Sequence, residues 1–198
     1  MPVPGGTPPQ ASGPPRPRRI AVAVDVTPDM QFACVIIAGV LPDGRILVER
    51  GQSRNAAGYL LEDHRAGTDW VVPRLMDLKS RHRVAAWVFD PTSPAAALIP
   101  EAEKAGLEIT KAMTRDVAAA YSLFTKWVVE GTLVHLGREN EDLRRAVAGA
   151  ARREIGDGQF AWSRKSTTVD ISPLCAATLA AWAAHKFGRG YDVLKSVV

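Results

Sequence analysis

The feature that most constrains this chain is a run of apolar, mostly β-branched residues at 20–26, "IAVAVDV", with Asp25 inside it. Such a run predicts a buried strand. A carboxylate in that setting is costly unless something pairs with it. Whatever meets Asp25 therefore shapes both the fold and the chemistry.

The rest of the chain supplies the neighbours. "QFACVIIAGVL" and "GRILVERG" read as two further strands, joined by "PDG". Asp-Gly between alternating apolar runs is a strong hairpin signal. "TDWVVPRLMDLKSRH", residues 68–82, has helical spacing, with Val71, Leu75 and Leu78 on one face. "RVAAWVFD" is a fourth strand, ending in Asp90. A short helix over "SPAAALIPEAEKAG", closed by Gly106, leads to a brief strand in "LEIT".

A long helix is expected over 113–130 with Thr114 as its cap. "TLVHL" reads as extended, "NEDLRRAVAGAARREI" as a helix and "QFAWSRK" as extended again. The last helix is "SPLCAATLAAWAAHKF", with Pro173 in its first turn, where proline is tolerated, and Asp170 just ahead of it. Three hairpin-linked strands followed by alternating helices and strands predict an α/β fold around a mixed sheet.

Composition fits that expectation. A chain of 198 residues, 46% hydrophobic, suits one domain with a real core. Residues 1–19 carry seven of the fourteen prolines and three arginines of the net +4 charge, and read as a flexible Pro-rich tail or interdomain linker before a domain at 20–198. Cys34 and Cys175 stand alone, without zinc or disulfide spacing, and read as reduced core thiols. No apolar run is long enough to cross a membrane and no secretory signal opens the chain, so a soluble intracellular protein is expected. Ser93 lacks a GxSxG setting, which excludes a serine hydrolase of that type.

The aspartates are more informative. Asp25 ends strand one, Asp90 ends strand four and Asp170 precedes the last helix. If the two strands are parallel neighbours, their carboxyl ends bring Asp25 and Asp90 together, and a helix start packed beside them adds Asp170. Three converging carboxylates repel one another unless a cation neutralises them. All-oxygen ligation selects Mg²⁺ or Mn²⁺ over zinc. Two such ions, about 4 Å apart, suit phosphodiester hydrolysis, with Asp25 bridging and Asp90 and Asp170 each completing one ion. Taken singly, each aspartate also reads as an ordinary turn or cap residue. Asp29, in "TPD", reads as a turn.

Basic residues flank these positions. Arg164 and Lys165, just before Asp170, are candidates for holding phosphate oxygens, and Lys111 and Arg115 bracket the start of the long helix. Arg45, Arg50 and Arg54 on the hairpin read equally well as surface charges. His135 reads as pointing out of a short strand, and His64, His82 and His185, lacking metal spacing, read as structural.

The segment "GQFAWSRKSTTVDISPLCAATLAAWA" resembles the end of the nuclease domain in large terminase subunits of tailed bacteriophages, and "VVEGTLVHLGRENEDLRRAVAGAARREI" ahead of it is similar to the same family. The meander carrying Asp25 resembles the RNase H-like nucleases more broadly. The resemblance implies an RNase H-like fold and an endonuclease that cleaves double-stranded viral DNA during genome packaging. It also implies a metal site on the acids matching Asp25, Asp90 and Asp170. The implied partners are double-stranded DNA, a terminase ATPase domain, the small terminase subunit and the portal, with the bacterial host cytoplasm as location. No GxxxxGK[ST] loop occurs in these 198 residues, so the motor half is absent from this chain. Two alternatives stand beside this reading. One is another RNase H-like nuclease, a junction resolvase or a ribonuclease, although the helix over 68–82 lacks the Glu that a ribonuclease would favour. The other is a non-catalytic remnant that docks DNA or packaging proteins.

Overall fold

A computed structural model describes residues 16–54, 57–135, 140–165 and 167–188. Most of the proposed linker, residues 1–15, lies outside them. Its last residues run along the domain edge, with Pro17 against Gly39.

The sheet is built on β1 (Ile20–Val26), whose seven residues are all buried. Both faces of this strand are covered, which is why its sequence is continuously apolar rather than alternating. On one side it pairs antiparallel with β2 (Phe32–Val40), which returns through the Asp-Gly turn into β3 (Ile46–Arg50). On the other side it pairs parallel with β7 (Val84–Phe89), which pairs parallel with β8 (Ile109–Lys111). With β9 (Leu133–Val134) beyond β3, the order is β8-β7-β1-β2-β3-β9, and only β2 runs against the others. A short strand, β6 (His64–Ala66), pairs with β2 past the end of β3. Two further short strands, β4 (Gln52–Arg54) and β5 (Leu60–Glu62), pair with each other.

Helices cover both faces. Beneath one lie α1 (Val71–Arg81) and α2 (Ile99–Lys104), the latter entered through a 3-10 turn at Pro94–Leu98. The predicted face of α1 is the buried one: Val71, Leu75 and Leu78 pack on Val22, Val24, Trp87 and Phe89. On the other face lie α3 (Thr114–Val129), α4 (Glu141–Ala148) and α5 (Ser172–Phe187). Every residue of α5 from Ser172 to Ala184 is buried. Its alanines let the helix backbone lie close on Ala21, Ala23 and Ala38 of the sheet.

The expected mixed sheet, meander plus parallel strands between helices, is thus the observed one. Two local expectations differ. The helix predicted over 140–155 stops at Ala148 with Gly149 as its C-terminal cap, packed so closely on Val169 that a Cβ there would sit 2.2 Å from Val169 Cγ2. The remainder becomes β10 (Arg152–Ile155), hairpinned with β11 (Gln159–Trp162) through the positive-φ glycines Gly156 and Gly158. Helix α3 begins on Thr114 itself, and its capping group is the Asp116 carboxylate, which accepts the Met113 N–H at 3.2 Å.

Candidate active site

Sheet register sets the geometry. Ala23 of β1 is level with Val88 of β7. Asp25 and Asp90 each follow by two residues, so they stand abreast at the carboxyl ends of parallel strands, on the face covered by α5. Across β2 the level continues, because Asp25 pairs with Cys34 and Cys34 pairs with His64 of β6. One transverse row therefore runs from Asp90, just past the end of β7, through Asp25 of β1 and Cys34 of β2 to His64 of β6. Asp170 lies above this row, where the chain enters α5.

Asp25 is 1% exposed and its partner is Arg164, in the segment after β11. The guanidinium forks onto the carboxylate, Nη1 donating to Oδ2 at 2.6 Å and Nη2 to Oδ1 at 2.7 Å. Paired donation of this kind is among the stronger charge-assisted contacts. Burial pushes the Asp25 carboxyl up to about 6; Arg164 draws it back down, and the nearby Asp90 charge adds to the rise.

Asp90 is half-buried and closes a turn. Its Oδ1 accepts the Thr92 N–H at 2.8 Å and the Thr92 hydroxyl at 2.7 Å. Asp170 accepts the Ser172 N–H at 2.7 Å on Oδ1, and its Oδ2 lies 2.8 Å from His64 Nε2. Burial would raise the Asp170 carboxyl, but these hydrogen bonds outweigh it and hold it below the usual range. The other His64 nitrogen, Nδ1, is 3.0 Å from Asp142 of α4, which also pairs with Arg50.

All three carboxylates act on Cys175, in the first turn of α5. Burial and then the Asp25 charge push its thiol up, Arg164 opposes them, and Asp90 and Asp170 add to the rise. The site is thus a convergence of negative charge in which two of the three acids are met by basic side chains, Asp25 by Arg164 and Asp170 by His64, and Asp90 by the Thr92 hydroxyl. Among the described residues no three acidic, imidazole or thiol groups close into a ready metal-ligating set.

A cleft of about 470 Å³ opens beside the row. Asp90, Arg153, Arg164 and Lys165 line it, with Tyr121 and Trp162 in edge contact, ring centroids 4.6 Å apart. Arg164 and Lys165 line this cleft, and Arg164 is turned onto Asp25. Lys111 and Arg115 do not line this cleft: Lys111 pairs with Glu103 at 3.1 Å, and Arg115 is exposed on the first turn of α3. Asp29 forms the expected turn, accepting from Thr27 Oγ1 at 2.6 Å and from the Gln31 N–H at 3.1 Å. Cys34 and Cys175 are free and buried, as expected.

Sequence reasoning missed His64 and Asp142 as neighbours of Asp170. No local signal marks them, since His64 and Asp170 are 106 residues apart and β6 has only three residues.

No protein-family profile and no curated protein sequence matches the chain. Two solved structures match its fold. The crystal structure of the HK97 bacteriophage large terminase superposes with a TM-score of 0.64 at 15% identity, over 85% of this chain and 40% of that one. The large terminase nuclease from thermophilic phage G20c superposes with a TM-score of 0.55 at 12% identity, over 81% of this chain and 80% of that one. The chain therefore has the RNase H-like fold seen in large-terminase nucleases, and it spans less than half the length of the HK97 protein.

Proposed function

We propose that this chain is a metal-dependent endonuclease domain that hydrolyses phosphodiesters of double-stranded DNA during phage genome packaging. The observation that carries this reading is the register that stands Asp25 and Asp90 abreast at the carboxyl ends of β1 and β7, with Asp170 above them. The likeness of fold to the two terminase structures supports it.

The residues fit a hard divalent cation. Asp25, Asp90 and Asp170 offer only carboxylate oxygens, the donor set that Mg²⁺ and Mn²⁺ take. The site also draws cations already, a guanidinium at Asp25 and an imidazole at Asp170. These three aspartates would hold the metal, two ions in the reading we favour. When bound, the metal supplies the electrophile that polarises the phosphodiester and activates water. The chain's own part is to fix the acids on rigid elements and to present Arg164, Lys165 and Arg153 to phosphate oxygens along the cleft. Double-stranded DNA is then the substrate. A packaging ATPase domain, the small terminase subunit and the portal are the expected partners, in the host cytoplasm.

The fork of Arg164 on Asp25 also suits a second reading, a domain that binds DNA without cutting it. One assay separates the two. Supercoiled plasmid is incubated with the protein in Mg²⁺ or Mn²⁺, beside an Asp90→Ala variant and an EDTA control. The nuclease reading expects nicking that EDTA stops and that the variant loses by about two orders of magnitude, the scale of removing a key electrostatic group. Equal nicking by both proteins, or none with either metal, rejects it.

A further inference from the structure

The Asp25 carboxylate sits in the interior and needs a cation beside it whenever it is ionised. In this structure Arg164 is that cation, and its fork occupies both carboxylate oxygens. A carboxylate has about four lone-pair positions in all, so the fork takes one on each oxygen and fills the adjoining space with positive charge. A divalent ion approaching Asp25 meets a fixed like charge, and the two cannot share the carboxylate on equal terms.

Arg164 has somewhere else to go. Its side chain is 23% exposed at the edge of the cleft that Asp90, Arg153 and Lys165 also line. Asp90 is differently placed: its carboxylate accepts from Thr92, and it acts on Arg164 only through its charge, with no direct ion pair among the described residues.

We infer that Arg164 is an internal counter-cation that competes with the divalent ion for Asp25 and, once displaced, turns into the cleft to hold a DNA phosphate. This rests on the nuclease reading above and adds to it a coupling through one side chain: metal loading frees the group that engages substrate. In the metal-free chain the site is shut by its own arginine. The apparent metal affinity is reduced by the fraction of molecules in which the fork is closed.

The test measures Mn²⁺ binding directly, by electron paramagnetic resonance of free Mn²⁺ or by calorimetry, on the DNA-free chain at neutral pH. Arg164→Met removes the competing charge and is expected to tighten Mn²⁺ binding by about ten-fold, the gain if the fork is closed in nine molecules of ten. Arg164→Lys keeps a charge but cannot fork both oxygens, so it should shift affinity in the same direction by less. That variant carries the test if the methionine protein does not fold. Nicking against Mn²⁺ concentration adds a second readout: half-maximal activity should move to lower Mn²⁺ while the maximal rate falls. A purely structural lesion would instead weaken both.

Unchanged or weaker Mn²⁺ binding in both variants overturns the inference. If Asp25→Asn nevertheless abolishes binding, the nuclease reading survives that result. No binding to any of the proteins rejects the two together.

Discussion

His64 bridges two carboxylates from different helix starts, its Nε2 2.8 Å from Asp170 and its Nδ1 3.0 Å from Asp142. Burial alone would lower the imidazole pKa, but the hydrogen bonds and charges of the two acids outweigh it and raise it above the ordinary 6.5. The charged ring therefore contributes stability that is full below 6.5 and is lost as pH rises through the higher folded value. Asp170 is shifted down, so its share is present above the ordinary 3.8 and is lost as pH falls through the lower folded value. The melting temperature in EDTA should thus exceed that of His64→Gln most in mildly acidic buffer. The gap should narrow as pH rises through the raised folded value and the imidazole loses its charge. A gap that widens with pH would contradict the bridging arrangement.

Gly149→Ala should be costly for a helix-end glycine with an ordinary backbone angle. The new methyl would land 2.2 Å from Val169 Cγ2, and Val169 adjoins Asp170. Overpacking of this kind costs about 2 kcal/mol. Adding Val169→Ala should recover much of the loss, so urea melts of the double variant should show clear non-additivity. Nicking should fall in the single variant, because the clash bears on the segment that carries Asp170.

Asp29→Ala separates a turn residue from a ligand. Its carboxylate serves Thr27 and the Gln31 N–H in an exposed turn, and those hydrogen bonds lower its pKa. The substitution should leave nicking at the wild-type rate while Asp90→Ala does not. Loss of nicking in both would make Asp29 part of the site.

Neither cysteine should react with a thiol reagent in the folded chain. Burial and then the Asp25 charge raise both thiols, leaving almost no thiolate at neutral pH. Titration with a disulfide reagent should find no reactive thiol in native buffer and both cysteines in denaturant.

Where the pattern was dense, the fold was legible. The strand at Ile20–Val26 and the helix at Ser172–Phe187 appear with the bounds read from their apolar runs. The parallel pairing of the first and fourth predicted strands, on which the placement of Asp25 beside Asp90 depended, is present too. What escaped was decided by contacts between distant residues. "ARREI" has ordinary helix formers, yet Arg152–Ile155 pairs as a strand with Gln159–Trp162 across the positive-φ glycines Gly156 and Gly158. "HRA" carries no strand pattern, yet β2 recruits it past the end of β3 and so delivers His64. The expectation for Asp25 was a metal ion; the cation beside it in the structure is Arg164, 139 residues away and readable beforehand only as a phosphate contact.

The row of Asp90, Asp25, Cys34 and His64 runs from the residue just past β7 across β1, β2 and β6, and β6 is the shortest of these strands. No fragment of the sheet contains the site, and a shift of any strand by one residue turns its member to the opposite face. A chain still being synthesised, or partly unfolded, accordingly has no place to gather these acids. The topology itself withholds this row until the strands that carry it have paired.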